Sequence, residues 1–395
     1  MGHGDDQLSA AGRAPRGRRV SRVLGWIAVA VAAVLVGGIL TAYGVYRDVF
    51  GKIHQILVTG LGNRPRAYNH ALNILVIGSD TRMGKNSRFG ARITGQRSDT
   101  VLILHLSPGR RRAVVLSIPR DSVVPVLACP IVRGAPGQVA APGQIEQINA
   151  TYSNGGPGCL WKTIEHTAQI RLDHFMEMNF TGFENVINDL GGVSICLPYP
   201  IRDPQSKLYL SRGMHHVGGA QALAYWRVRY IGAGSDLERI QRDQYLMASV
   251  AQEVKHTEPL GNPARLFKIV RDAAASLTTD SGLSQGRLIS LVQRLRTVPL
   301  RAVHFVQVPV VTYAANPNWV QWSSDASRLF SAIAHDRTLP ETAARLGHHR
   351  SLTGVASRST HAKPLSGVTQ RYGGITAGAN VCRDASAFAG PLGGH

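Results

Sequence analysis

The chain has 395 residues, of which 44% are hydrophobic and 17% charged. That is enough apolar material for one large globular domain or two small ones, and it excludes a chain disordered throughout. Lys and Arg number 44 against 24 Asp and Glu, a net charge of +20, so the partners to look for are anions.

Between Arg22 and Arg47 there is no charged residue. The run Val23 to Tyr46, at about 1.5 Å per residue, would span the roughly 30 Å hydrocarbon core of a bilayer. It is longer than the roughly 7 to 15 residue apolar core of a cleaved signal peptide, so it reads as a transmembrane helix. Arg13, Arg16, Arg18, Arg19 and Arg22 precede it, against Arg47 and Lys52 just after, which predicts a cytoplasmic N-terminus. The expected organisation is a basic cytoplasmic segment over residues 1–22, a membrane span over 23–46 and a juxtamembrane linker over 47–71. An extracellular domain over 72–336 and a flexible tail over 337–395 follow. With the basic segment set aside, the exterior part keeps a charge of about +17. Outside a membrane the available anions are lipid headgroups, phosphorylated lipid intermediates and acidic wall polymers; nucleic acid is not expected.

Cys129, Cys159, Cys196 and Cys382 show no paired CxxC spacing, which argues against zinc. An exterior location permits disulfides. Four cysteines allow three pairings. Cys129 with Cys159 is favoured because the two flank a Gly/Pro-rich excursion, leaving Cys196 with Cys382 as the residual pair.

The domain opens on the apolar run Asn73 to Gly78, suited to a buried strand, which delivers Ser79 and Asp80 at its end. Met83 to Gln96 reads as a loop. Two apolar runs, Val101 to Leu106 and Ala113 to Ile118, are joined by a Pro-Gly turn and predict an antiparallel hairpin. In such a hairpin Arg97 and Asp99, at its start, lie beside Arg120 and Asp121, at its end. Helices are expected over 160–171, after a Thr181-x-x-Glu184 capping box, over 220–225, and from Asp236 after Ser235-x-x-Glu238. Strands are expected near 175–180, 193–197 and 302–308, and further helices near 264–277, 284–295 and 325–334. Helices interleaved with strands predict an α/β layered domain with a mixed sheet.

Residues 224–242 place Arg227, Arg229, Arg239 and Arg242 around a glycine-containing loop. A guanidinium binds phosphate oxygens two at a time and stays charged at any working pH, so this density predicts a phosphate or pyrophosphate clamp. Ordinary surface ion pairing is the alternative. Four arginines without an anion repel one another, so aspartates are expected among them. Trp226 and Tyr230 could contact a sugar or simply pack. The pairs His215-His216 and His348-His349 read as solvated loop residues.

Gly78-Ser-Asp80, Arg97-Ser-Asp99-Thr100, Ile118-Pro-Arg120-Asp121, Asn149-x-x-Tyr152, Asp189-x-Gly191-Gly192, Ala222-Leu-Ala-Tyr225-x-Arg227-x-Arg229 and Asp236-x-x-Arg239-Ile-Gln-Arg242 resemble, in order, the motif series of the LytR-CpsA-Psr family. The resemblance covers roughly residues 72–336. It implies a central mixed sheet flanked by helices, after one N-terminal transmembrane helix, with a long apolar pocket for a lipid. The implied activity is a Mg²⁺-dependent phosphotransferase. It would move a teichoic acid-like, capsular or arabinogalactan-like glycopolymer from a polyprenyl-pyrophosphate carrier to peptidoglycan, through a phosphodiester. Carried over by motif, Arg97, Arg120, Arg227, Arg229 and Arg239 would bind pyrophosphate, with Arg242 one helical turn beyond. Asp80 and Asp99 would hold Mg²⁺, or Mn²⁺ in its place, with Asp121 close by. Asp121 or Asp99 could accept the proton of the attacking sugar hydroxyl. Asp243 stands where the family pattern implies Gln, a departure expected to touch only a secondary contact. The rival readings are a pyrophosphatase of the same lipid and a membrane-bound transcriptional regulator or attenuator.

Overall fold

The computed structural model describes residues 16–79, 98–110, 112–129, 144–197, 199–228, 236–256, 263–339 and 375–377. The chain divides into two units, Met1–Gly51 and Lys52–His395. The first contains one long helix, α1 (Arg16–Phe50), whose described apolar side chains, from Trp26 to Tyr43, are exposed. Among the described residues no helix is long and apolar enough to cross a membrane; much of the two ends of the expected span falls on side chains outside the description.

The second unit is built on an eight-stranded sheet. Its strands are β1 (His54–Ile56), β2 (Leu72–Ser79), β3 (Ser98–Leu106) and β4 (Ala113–Ile118) from the first part of the chain. The hairpin of β5 (Val123–Pro125) and β6 (Ile145–Gln147) leads into helix α2 (Ile148–Ala168), strand β7 (His174–Asn179) and helix α3 (Phe180–Asp189). Strands β8 (Val193–Leu197), β9 (Ile201–Asp203), β10 (Leu208–Leu210) and β11 (Gly213–Val217) form two small two-stranded sheets. Helices α4 (Gly219–Arg227), α5 (Asp236–His256) and α6 (Pro263–Ala275) precede β12 (Leu277–Asp280) and helix α7 (Gln285–Thr297). Strand β13 (Val303–Gln307), the hairpin β14 (Val310–Tyr313) and β15 (Asn316–Trp322), helix α8 (Ser324–Ala334) and strand β16 (Ile375–Thr376) complete the described elements. The sheet order is β1-β12-β7-β2-β3-β4-β13-β16, with parallel and antiparallel neighbours mixed, as expected.

Alternation along the strands decides which helices cover which face. Leu75, Ile77, Val101, Ile103, Val114 and Leu116 point to one side and pack against Tyr152, Leu160, Trp161 and Ile164 of α2 and Leu329, Phe330 and Ile333 of α8. On the opposite face Ile74, Leu106 and Ala113 meet Leu291 and Val298 at α7. A third cluster joins α3, α4 and β8 to Leu246 of α5.

Several boundaries differ from the sequence reading. Helix α2 begins twelve residues before the expected Leu160, because Gly155-Gly156-Pro157 is absorbed as a kink: Gly156 adopts φ 68° and Pro157 resumes the helix. The cap of α3 is Asn179, whose side chain accepts from the Gly182 backbone N–H at 2.9 Å, and not Thr181. The Ser235 cap lies outside the described residues. The helix expected to reach Leu277 stops at Ala275, and β12 pairs between β7 and the edge strand β1. His215 and His216 sit on β11, not in a loop; their Nε2 atoms hydrogen-bond the Ser211 and Gly191 carbonyls at 2.7 and 2.8 Å. Inside the stretch expected as a tail, β16 pairs antiparallel with β13, and Ile375 and Ala377 are buried.

Cys129 and Cys159 form a disulfide, as expected from the excursion they flank. Cys196 is disulfide-bonded too, while Cys382, its expected partner, lies outside the described residues.

Candidate active site

The hairpin β3–β4 pairs Val101 with Ile118, so the residues just outside that pair share its open end. There Arg120 donates from Nη1 to Oδ1 of Asp99 at 2.9 Å and from Nε to Oδ2 of Asp121 at 3.4 Å. One guanidinium therefore bridges the two carboxylates expected beside it. All three side chains are about one-fifth exposed, enough to reach a ligand and too little for water to screen them fully.

The Arg120–Asp121 turn is held from three directions. The backbone N–H groups of Ile148 and Asn149, opening α2, donate to the carbonyls of Ser122 and Arg120 at 2.8 and 3.3 Å, and Val320 of β15 donates to the Asp121 carbonyl at 3.2 Å. Gln147 donates from Nε2 to Oδ1 of Asp121 at 2.8 Å. Sequence reasoning missed Gln147. Its position two residues before the Asn149 motif was the only available signal.

Asp99, Thr100, Pro119 and Arg120 line a cleft whose inner wall is Val101, Leu102 and Ile118 and whose far wall is Arg239 and Asp243 of α5. The structure thus brings Arg239 to Asp99 and Arg120 across a separation of more than a hundred residues. Asp243, the departure from the family pattern, lines the cleft beside Arg239.

Arg227 and Arg242 are not among the residues lining this cleft. The Arg227 guanidinium lies 5.5 Å from the Phe180 ring centroid. Arg242 lies 5.8 Å from the Tyr225 ring and donates to the Val228 carbonyl, tying α5 to the end of α4. Burial pushes the Tyr225 phenol above its ordinary pKa, so it stays neutral under this arginine. Trp226 packs edge-to-face on Phe183 at 4.6 Å, in keeping with the packing alternative. Asp80, Arg97, Arg229 and Tyr230 lie outside the described residues.

Behind the strand ends Tyr152, 1% exposed, donates to Oε1 of Glu177 at 2.7 Å and lies 3.3 Å from the Ser79 hydroxyl. That network fixes the end of β2, from which Asp80 follows. The Asp189-x-Gly191-Gly192 motif is architectural. Asp189 is paired with Lys268 of α6, and Gly192 adopts φ 109°, where a Cβ would lie 2.5 Å from His216 Nε2.

Among the described residues no group of three His, Cys, Asp or Glu could hold a metal. Asp99 is a fitting partial donor set for Mg²⁺. It is a hard carboxylate in an open cleft with only Oδ1 engaged among the described residues, and Mg²⁺ often takes one or two protein carboxylates with water and substrate oxygens.

Fold and site together define an α/β domain with an arginine–aspartate cleft at the strand ends. Residues 52–333 match the LytR_cpsA_psr family, and the chain belongs to it. The chain is 29% identical over 283 residues to the probable cell wall biosynthesis protein LcpB of Corynebacterium glutamicum, covering 68% of this chain and 64% of that one. It is 26% identical over 269 residues to the polyisoprenyl-teichoic acid–peptidoglycan teichoic acid transferase TagV of Bacillus subtilis, covering 65% of this chain and 63% of that one. The match thus spans somewhat under two thirds of the length of these relatives. The crystal structure of B. subtilis TagV superposes with a TM-score of 0.52 at 23% identity, over 68% of this chain and 98% of that one.

Proposed function

We propose that this protein transfers a glycopolymer from a polyprenyl-pyrophosphate carrier to peptidoglycan. The observation that carries the reading is Arg120, held between Asp99 and Asp121 and facing Arg239 across a cleft. The names of the two relatives, a cell wall biosynthesis protein and a teichoic acid transferase, support it.

The chemistry asks mainly for positioning and charge stabilisation. Arg120 and Arg239 bind the pyrophosphate oxygens, and Asp99 and Asp121 offset the repulsion between the two arginines. The hydroxyl oxygen of a wall sugar bonds to the phosphorus on the polymer side. The bond from that phosphorus to the bridging oxygen breaks, and prenyl phosphate leaves with the electron pair. Asp121 or Asp99 takes the hydroxyl proton. A Mg²⁺ bound through Asp99, with Asp80, would neutralise phosphate charge. The apolar wall of Val101, Leu102 and Ile118 suits the first part of the prenyl chain.

We further propose that residues 23–46 anchor the chain in the cell membrane with the domain outside, on the strength of the uncharged run and the arginines before it. The test supplies full-length protein in vesicles with a ³²P-labelled polyprenyl-pyrophosphate saccharide, Mg²⁺ and a peptidoglycan oligomer. Label on the oligomer supports transfer. Label released only as soluble phosphate makes the protein a pyrophosphatase.

A further inference from the structure

The family match ends at residue 333, yet the fold does not. Residues 375–377 return as β16 on the outer edge of the main sheet, where His304 pairs with Thr376 and Phe305 with Ile375. The Ala377 backbone N–H donates to the Val303 carbonyl at 2.9 Å. The Ala377 carbonyl accepts from Nε2 of Gln252 on α5 at 2.7 Å. Ile375 and Ala377, 9% and 0% exposed, pack with Tyr245 and Ala248 of α5 and Phe305 of β13. A three-residue piece of chain, distant in sequence, therefore joins the sheet edge to the middle of a helix.

That helix carries one wall of the cleft. Arg239 and Asp243 line it, and Arg242 holds the end of α4. They lie in the turns just before Tyr245, where β16 takes hold. On its other side α5 is fixed through Leu246 to the cluster around β8. With β16 present the helix is gripped from both sides; without it Tyr245, Ala248 and Gln252 lose their strand partner, and an apolar strip opens along the edge of β13.

We infer that the segment Ile375–Ala377 is an intramolecular latch, lying beyond the family-matched region, that positions α5 and so sets the distance of Arg239 from Arg120. Ile375, Ala377 and Gln252 are positioning residues and touch no substrate. The functional arm rests on the transferase reading above; the structural arm does not.

The test uses full-length protein in vesicles and compares wild type with Ile375→Asp, the conservative Ile375→Val, and a chain cut after residue 370. Amide hydrogen exchange over residues 236–256 is the first readout. The latch predicts at least tenfold faster exchange there in Ile375→Asp and in the cut chain, with β2 and β3 unchanged. Ile375→Val is expected to behave as wild type, and a peptide of residues 371–381 added to the cut chain should restore protection by strand addition. The second readout is the KM-against-kcat split with lipid-pyrophosphate donor. A displaced Arg239 should raise KM about tenfold or more. Faster α5 exchange without any transfer by wild type would uphold the latch and overturn the transferase reading. Unchanged α5 exchange in the cut chain, or equal loss of protection across the whole sheet, overturns the latch.

Discussion

Arg120 reaches Asp99 at 2.9 Å although 21 positions separate them, and the same guanidinium reaches Asp121 at 3.4 Å. One guanidinium thereby holds two carboxylates, a group whose formal charge is negative by one. An incoming pyrophosphate must compete for that cation, and whichever carboxylate it displaces becomes available to a proton or a metal. Replacing Arg120 by Ala should reduce transfer about 10²- to 10³-fold, the usual effect of removing one preorganised charge donor. Lys in its place should recover little, because an ammonium cannot hold two carboxylates as a planar fork does. Initial rates of labelled polymer transfer measure both.

The Gln147 side chain reaches the site through its hydrogen bond to Asp121. Gln147→Leu should lower kcat by about tenfold, leave KM for the lipid donor near wild type, and change thermal stability little. A rise in KM with unchanged kcat would mean that Gln147 contacts the donor itself.

Arg64, in the linker after α1, donates from Nε and Nη2 to the two oxygens of Glu165 at 2.8 and 2.7 Å. Glu165 is 2% exposed and also accepts the Leu172 backbone N–H at 2.8 Å. Arg64→Ala would leave a buried carboxylate without its counter-charge, at a cost of about 3 to 5 kcal/mol. Urea unfolding of the variant should show a lower midpoint, and the double variant Arg64→Met with Glu165→Leu should recover much of the loss.

The Cys129–Cys159 bridge spans 30 positions. Restricting a loop of that size in the unfolded chain is worth about 3 to 4 kcal/mol. Cys129→Ser should therefore lower stability by that order, with Cys159→Ser equivalent and the double variant no worse than either.

His304, beside Thr376 on the β13–β16 edge, has its pKa held below the ordinary histidine value by burial and, secondarily, by the Arg112 charge. The unfolded chain then binds a proton more readily than the folded one, so the contribution to stability is complete above pH about 6.5 and is lost as pH falls through the lower folded pKa. His304→Gln should flatten the fall in melting temperature between pH 7 and pH 5. A steeper fall in the variant would reverse the sign of this assignment.

Local patterns in the sequence carried much of this architecture. The apolar runs of β2, β3 and β4, and the Pro-Gly turn between the last two, were enough to predict that Arg120 and Asp121 face Asp99. The same reasoning could not reach Arg239, whose place in the cleft depends on how α5 packs across the sheet, nor Asp243, which differs from the family pattern and still lines the wall. Helix α2 is expected only from Leu160, because composition cannot say that a helix resumes after Gly156 at φ 68°. Strand β16 was illegible for a different reason. Two residues of pairing carry no periodicity, and their partner strand lies about seventy positions earlier.

The most direct test is the ³²P transfer assay with wild type, Arg120→Ala and Asp99→Ala, run on full-length protein in vesicles with Mg²⁺ and a peptidoglycan oligomer. Label should appear on the oligomer with wild type and fall at least 10²-fold in both variants, while lipid binding weakens mainly in Arg120→Ala. Undiminished transfer by either variant would contradict the assignment of this arginine–aspartate cleft as the reacting centre.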